Sequence, residues 1–396
     1  MRAGSPGFQP IRLQEARRAR GLSQVALAQT LGRSSSTVSR WEKGRQSPEP
    51  ETLRRLGAVL QVPSDFFFKP APDFGGGPCF FRSMSAATLN ARERIGQRLR
   101  WLQDIGYDLQ SWLELPAVDI PDLQIQDYRT LSDEDIEAAA ERCRRHWRLG
   151  QAPITDMLLV LENAGAVVAF DEFGAASIDG VSAWSKADDR PYVLLSRDKR
   201  TAVRSRFDAA HELGHLVLHR HIDPGLLRRP VAFKEVERQA HRFAGAFLMP
   251  AEGFCAELDG LNLDALLALK LRWQVSVAAM IYRCRELGIL TEAYAARLWQ
   301  YRSARRWTRA EPYDDQIPME QPRLLARSFA LLLEEGFSAE VLLAHLRLPA
   351  HDVETLAGLP AGLLSAQDGN VRRLPSFRRN PEQNRRPGKV VPFHRR

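Results

Sequence analysis

In the stretch RSRFDAAHELGHLVLHR, His211, Glu212 and His215 stand in the order His-Glu-x-x-His. Phe207, Ala210, Leu213, Gly214 and Leu218 recur near helical spacing, which predicts a helix through the motif. Residues four apart lie one turn along and about 40° offset, so His211 and His215 can present two imidazoles to one tetrahedral zinc. Glu212 projects beside them, placed to act on a water rather than to ligate the cation. A third ligand is available in FKEVERQAHRFAGAFLMP. There Phe233, Val236, Ala240, Ala244 and Phe247 define one helix face, and Glu237 sits at its edge. A carboxylate partly buried there needs a cationic partner, and Zn2+ supplies one. With its fourth position open, zinc lowers the pKa of its water to around 7, and Glu212 can then serve peptide hydrolysis as the proton carrier. His241, one turn past Glu237, and His219, one turn past His215, are either further ligands that would close the site or groups packed around the ligands. His219, His241 and Tyr192 are the candidates for stabilising the oxyanion.

A second constellation lies near the N-terminus, in GLSQVALAQTLGRSSSTVSRWEKG. Leu22, Leu27, Ala28 and Leu31 keep helical spacing, Gly32 breaks the helix where a tight turn is needed, and Val38 and Trp41 face inward from a second helix. Ser23 and Ser34 are each placed to N-cap the helix that follows. The outer face of the second helix is then Ser35, Ser36, Ser39 and Arg40, which can enter a major groove. Residues 1–70 carry 12 basic and 5 acidic side chains. That charge favours double-stranded DNA as the partner.

Two resemblances follow from these residues. LSQVALAQTLGRSSSTVSRWEKG is similar to the Cro/repressor-type (XRE family) helix-turn-helix over about residues 11–66. The resemblance implies a lambda-repressor-like fold and a homodimer on two operator half-sites. It also implies phosphate contacts near Gln24 and Lys43, base edges facing Ser35 and Ser36, and Ser39 and Arg40 alongside. Arg33 departs from the aliphatic residue usual there, which either loosens the turn or adds a phosphate contact. Over about residues 150–300 the chain resembles the ImmA/IrrE family of zinc metallo-endopeptidases, through HELGH and through Glu237-Arg238-Gln239-Ala240-His241-Arg242-Phe243-Ala244 followed by Leu248-Met249-Pro250. That resemblance implies a zincin-like domain with His211, His215 and Glu237 as ligands and Glu212 as general base. It implies cleavage of a partner repressor or antitoxin, or of this chain itself. His241 departs from the Asn or Asp usual at its position. The competing class is a helix-turn-helix transcription factor or antitoxin whose zinc site is structural or sensory.

The elements that must position these groups can be read from punctuation and periodicity. The fold class expected is mainly α with a small antiparallel sheet (α+β). The domains expected are 1–70 for DNA binding, 71–149 as linker and helical connector, 150–304 for the peptidase, 305–366 as a helical C-terminal region and 367–396 as a basic, disordered tail. Runs at 167–173, 181–186 and 192–196 read as strands, and 201–219 and 232–248 as helices. A helix-turn-helix-like phrase from Leu269 to Met280 has a thin polar face and reads as packing. The net charge of +8 is uneven: residues 371–396 carry 9 basic side chains and 1 acidic, leaving the body acidic. Cys79, Cys143, Cys255 and Cys284 form no CxxC pair, a spacing that supports neither a disulfide framework nor a thiolate zinc site and makes a reducing cytoplasm the default expectation. No run reaches the roughly 18 apolar residues of a membrane span, so no membrane partner is expected.

Overall fold

The computed structural model describes residues 4–75, 80–81, 88–175, 177–198, 201–365 and 391–392. The N-terminal module comprises α1 (Pro10–Ala19), α2 (Gln24–Leu31), α3 (Ser35–Glu42) and α4 (Pro50–Leu60). Ser23 caps α2, accepting from the Ala26 N–H at 3.0 Å. Gly32 takes φ 64°, and the Arg33 N–H bonds to the Ala28 carbonyl at 2.9 Å. This closure ends α2 sharply, so Arg33 does not loosen the turn. Ser34 departs from expectation: its hydroxyl meets those of Ser36 and Thr37 at 2.9 Å each and does not cap α3.

Next come β1 (Phe80–Phe81), α5 (Leu89–Leu109), β2 (Leu113–Glu114), α6 (Asp133–His146) and α7 (Met157–Asn163). The sheet strands β3 (Val167–Asp171), β4 (Gly180–Ser185) and β5 (Arg190–Ser196) lead into α8 (Ala202–Leu218) and α9 (Pro230–Leu248). Shorter helices complete the chain: α10 (Ala251–Ala256), α11 (Leu263–Trp273), α12 (Val277–Glu286), α13 (Glu292–Ala304), α14 (Leu324–Glu334), α15 (Ala339–Leu346) and α16 (Ala350–Ala357). Finally β6 (Val391–Pro392) pairs parallel with β2; the tail expected over 367–396 otherwise falls outside the described residues. The phrase from Leu269 to Met280 is the bend between α11 and α12, with Trp273, Val275, Val277 and Met280 buried, as its packing reading requires. Among the described residues no single helix is long and apolar enough to cross a membrane.

The sheet runs in the order β1-β4-β5-β3 and is mixed, which corrects the expected antiparallel sheet. A four-residue turn at 186–189 joins β4 to β5 as an antiparallel hairpin. The connection before it carries the chain past the β5 position, so β5 lies between β4 and β3 and runs parallel to β3. A tight turn forces antiparallel pairing, whereas a longer crossover permits parallel pairing. Alternation along the strands then sorts two cores. Tyr192 and Leu194 face a core shared with α5, the N-terminal module and α14–α16, while Val193 and Leu195 face a core built by α6–α9 and α11–α13.

The N-terminal module is therefore packed into the body across residue 70. Leu13, Phe66, Trp101, Ile105 and Val353 belong to one cluster. Buried ions reinforce it. Arg12 pairs with Glu15 at 2.8 Å and, through two nitrogens, with Asp104. Arg20 and Arg98 share Asp352, and Arg98 also holds Asp171 at 2.6 Å. Arg12→Met would leave Asp104 and Glu15 buried without that cation. A loss of about 3–5 kcal/mol is expected in urea denaturation.

Candidate functional site

Of the α8 side chains, only Arg204 is not buried, so the helix carries its polar groups into the interior, where each needs a partner. Arg206 donates to the Ile154 carbonyl at 2.6 Å and pairs with Glu320, whose other oxygen accepts the N–H groups of Met157 and Leu158 at the start of α7. Glu212 lies against β4 and accepts the Ser182 hydroxyl at 2.6 Å. Gly180 makes that approach achievable, since a Cβ there would fall 2.7 Å from Glu212 Oε1. Gly214 serves the other side of α8 in the same way. A Cβ on it would stand 3.1 Å from the Ala240 carbonyl and 3.1 Å from the Phe243 ring, so the α8 and α9 backbones meet there.

That contact brings Glu237 to the histidine pair. His211 Nε2 and His215 Nε2 are 3.1 Å apart, and each is 3.3 Å from a Glu237 oxygen. All three ligand atoms lie within 4.8 Å of one another. Zinc bonds of about 2.0–2.1 Å at tetrahedral angles separate two ligand atoms by about 3.3 Å, so the donor set fits zinc in type and in spacing. Burial by itself would push the Glu237 carboxyl up. Hydrogen bonds from His211 and His215 outweigh it and hold the group well below the usual carboxylate range.

A hydrogen-bond chain orients His215 from behind. His215 Nδ1 meets His219 Nδ1 at 3.0 Å, His219 Nε2 meets Gln239 Oε1 at 3.0 Å, and Gln239 donates to the Tyr128 carbonyl at 2.8 Å. With the Nε2 lone pair of His215 turned to a cation, its Nδ1–H donates to His219 Nδ1, and the His219 Nε2–H donates in turn to Gln239 Oε1. Burial pushes His219 well below the ordinary histidine value, with His215 adding to the effect, which suits a ring carrying one proton. His219 thus touches a ligand and stands outside the ligand group, as does His241. The His241 ring packs 4.7 Å from Phe207 and 5.8 Å from Tyr282. It forms a wall between the centre and a cavity of about 260 Å3 that Phe207, Tyr282 and Trp307 also line.

Tyr192 requires correction as an oxyanion candidate. It belongs to the core on the α5 face of the sheet, and its hydroxyl donates to Asp188 at 2.7 Å. Two functional neighbours escaped sequence reading. Ser182 had a faint signal, since strand alternation places it opposite Val181 and toward α8. Gln239 had none, because its partners come from α8 and from the segment near Tyr128.

On the N-terminal module, Arg33, Ser35, Ser36, Arg40 and Lys43 are exposed and Ser39 is half-buried. Gln24 donates to Glu42 at 2.7 Å, and Glu42 is gripped by Arg17. The α3 face is therefore open while its base is braced.

Residues 13–67 match a helix-turn-helix family model, and residues 161–285 match a peptidase M78 model described as an IrrE N-terminal-like domain. The HTH-type transcriptional regulator RghRB of Bacillus subtilis is 31% identical over 126 residues, which are 32% of this chain and 81% of that protein. The chain belongs to the HTH-type transcriptional regulators. HTH-type regulators of Sinorhizobium medicae and Rhizobium meliloti are each 37% identical over 57 residues, 14% of this chain and 41% of theirs. The regulator thus joins a helix-turn-helix domain to an IrrE-like domain whose matched span contains all three clustered ligand residues and Glu212. For this regulator, Gln239→Leu breaks the hydrogen-bond chain behind His215. Competition with a chelator should read zinc affinity reduced about 10- to 100-fold.

Proposed function

We propose that the regulator binds an operator in the cytoplasm and that its IrrE-like domain is a zinc-dependent endopeptidase that cleaves a repressor or antitoxin partner, or this chain itself. The observation that carries this reading is the convergence of His211, His215 and Glu237 on one point, with Glu212 adjoining them on α8. The three ligands would hold zinc, which when bound lowers the pKa of water to around 7 and polarises a peptide carbonyl. Glu212 takes the proton of the attacking water and hands it to the departing amine. Ser182 fixes its carboxylate through a hydrogen bond, and the cavity beyond His241 receives a substrate side chain. A ligand group of three residues supports an accessible fourth position, as a peptidase needs. The free, buried Cys143 and Cys284 suit a reducing compartment.

The test compares the purified regulator with Glu212→Gln after zinc analysis, each incubated with the repressor encoded beside it. Equal zinc in both, with cleavage only by the unaltered protein, is the expected result. Equal zinc and no cleavage would overturn the peptidase in favour of a structural or sensory metal site in a transcription factor or antitoxin.

For DNA, the exposed α3 face supports Ser35, Ser36, Ser39 and Arg40 at base edges, with Gln24, Arg33 and Lys43 toward phosphate, on two half-sites bound by a homodimer. Arg40→Ala is expected to weaken operator binding by about 1–3 kcal/mol, read by fluorescence anisotropy at fixed salt.

A further inference from the structure

The β4 strand pairs with β5 on one side and with the two-residue strand β1 on the other. Two of its residues meet Glu212 directly: Ser182 through its hydroxyl, and Gly180 through the close approach of its backbone. An extended peptide added to that edge would therefore lie along the side of the site that carries Glu212, and strand addition to an open edge is a general way to hold one. The edge already has a tenant. Antiparallel β1 sets Phe80 opposite Ser182 and Phe81 opposite Val181, at and beside the residue that holds Glu212.

The tenant is anchored on both sides by the chain that carries it. Upstream, the Phe74 carbonyl accepts the Lys186 N–H at 3.0 Å, just past the end of β4. The Phe74 ring is buried, 6.1 Å from that of Tyr107, with the Arg100 guanidinium above it. Downstream, Thr88 caps α5 by accepting from the Ala91 N–H, and Asn90 donates to the Gly21 carbonyl at 2.9 Å. The strand is thus part of the connection between the DNA-binding module and α5. A two-residue pairing holds weakly by itself, but tethering at both ends raises its effective concentration to the millimolar range.

We propose that Phe80–Phe81 is the resident occupant of the β4 edge, so that an external substrate strand reaches Glu212 only by displacing the regulator's own connector. This deepens the peptidase reading and rests on it. The assignment makes peptide access depend on a segment whose far end is tied to the DNA-binding module.

The test uses the full, zinc-loaded chain and the double variant F80P/F81P, since proline removes the N–H groups that a ladder needs. Hydrogen–deuterium exchange of residues 180–185 should speed up in the variant while α8 stays protected. With denatured β-casein as probe, KM should fall about tenfold at nearly unchanged kcat, as expected when a site open about a tenth of the time becomes fully open. F80G/F81G repeats the comparison if the proline variant does not fold. Exchange at 180–185 that is identical in variant and parent overturns the occupancy. Faster exchange with no casein cleavage by either protein supports the occupancy and counts against the peptidase reading instead. A clip between Phe74 and Leu89 in the parent, absent from Glu212→Gln, supports the occupancy too.

Discussion

The site depends on two helices meeting at backbone distance. Gly214 lets the Ala240 region of α9 close onto α8, and this contact sets Glu237 at 3.3 Å from both imidazoles. A glycine inside a helix costs about 1 kcal/mol relative to alanine; here the close packing offsets that cost. Because α8 is enclosed on nearly every side, it cannot rotate to relieve a misfit. Two imidazoles and a carboxylate in such surroundings form a donor set that fits a shared cation, and the hydrogen-bond chain through His219 and Gln239 orients the His215 ring.

The sheet separates the His-Glu-x-x-His helix from the helix-turn-helix module, one toward each face. Val193 and Leu195 look toward α8, while Tyr192 and Leu194 look toward α5 and the helices that carry the DNA-binding module. A one-residue slip of β5 would exchange these sets, so both cores defend the same register. The module is also held by charge. Moving α1 away would strip Arg12 from Asp104 and Arg20 from Asp352, and buried ions left alone are costly. The exposed α3 face and the cluster of His211, His215 and Glu237 are thereby built around one sheet, with the connector strand Phe80–Phe81 paired to β4 beside Ser182.

Some of this was legible because it is local. The spacing of His211 and His215 on one helix, the edge position of Glu237 on the next and the open face of α3 all follow from helical periodicity. Ser34 misled because neighbouring hydroxyls of Ser36 and Thr37 compete for it, a contest that capping preference does not weigh. Tyr192 misled because nearness in sequence to α8 says nothing about which sheet face a strand residue takes. The parallel pairing of β3 with β5 stayed hidden since strand order is set by the path of a loop, and β1 stayed hidden because two residues beside a Gly- and Pro-rich stretch carry no period.

The sequence by itself determined which residues could bind a cation, which could move a proton and which could face a groove, because those properties reside in side-chain chemistry and in the repeat of a single helix. Only the tertiary structure decided that α9 brings Glu237 to the histidine pair, that Ser182 bonds to Glu212 and Gln239 to His219, and that the chain's own connector pairs with β4 beside them. Those are contacts between segments far apart in sequence, fixed by packing and register that no single segment encodes.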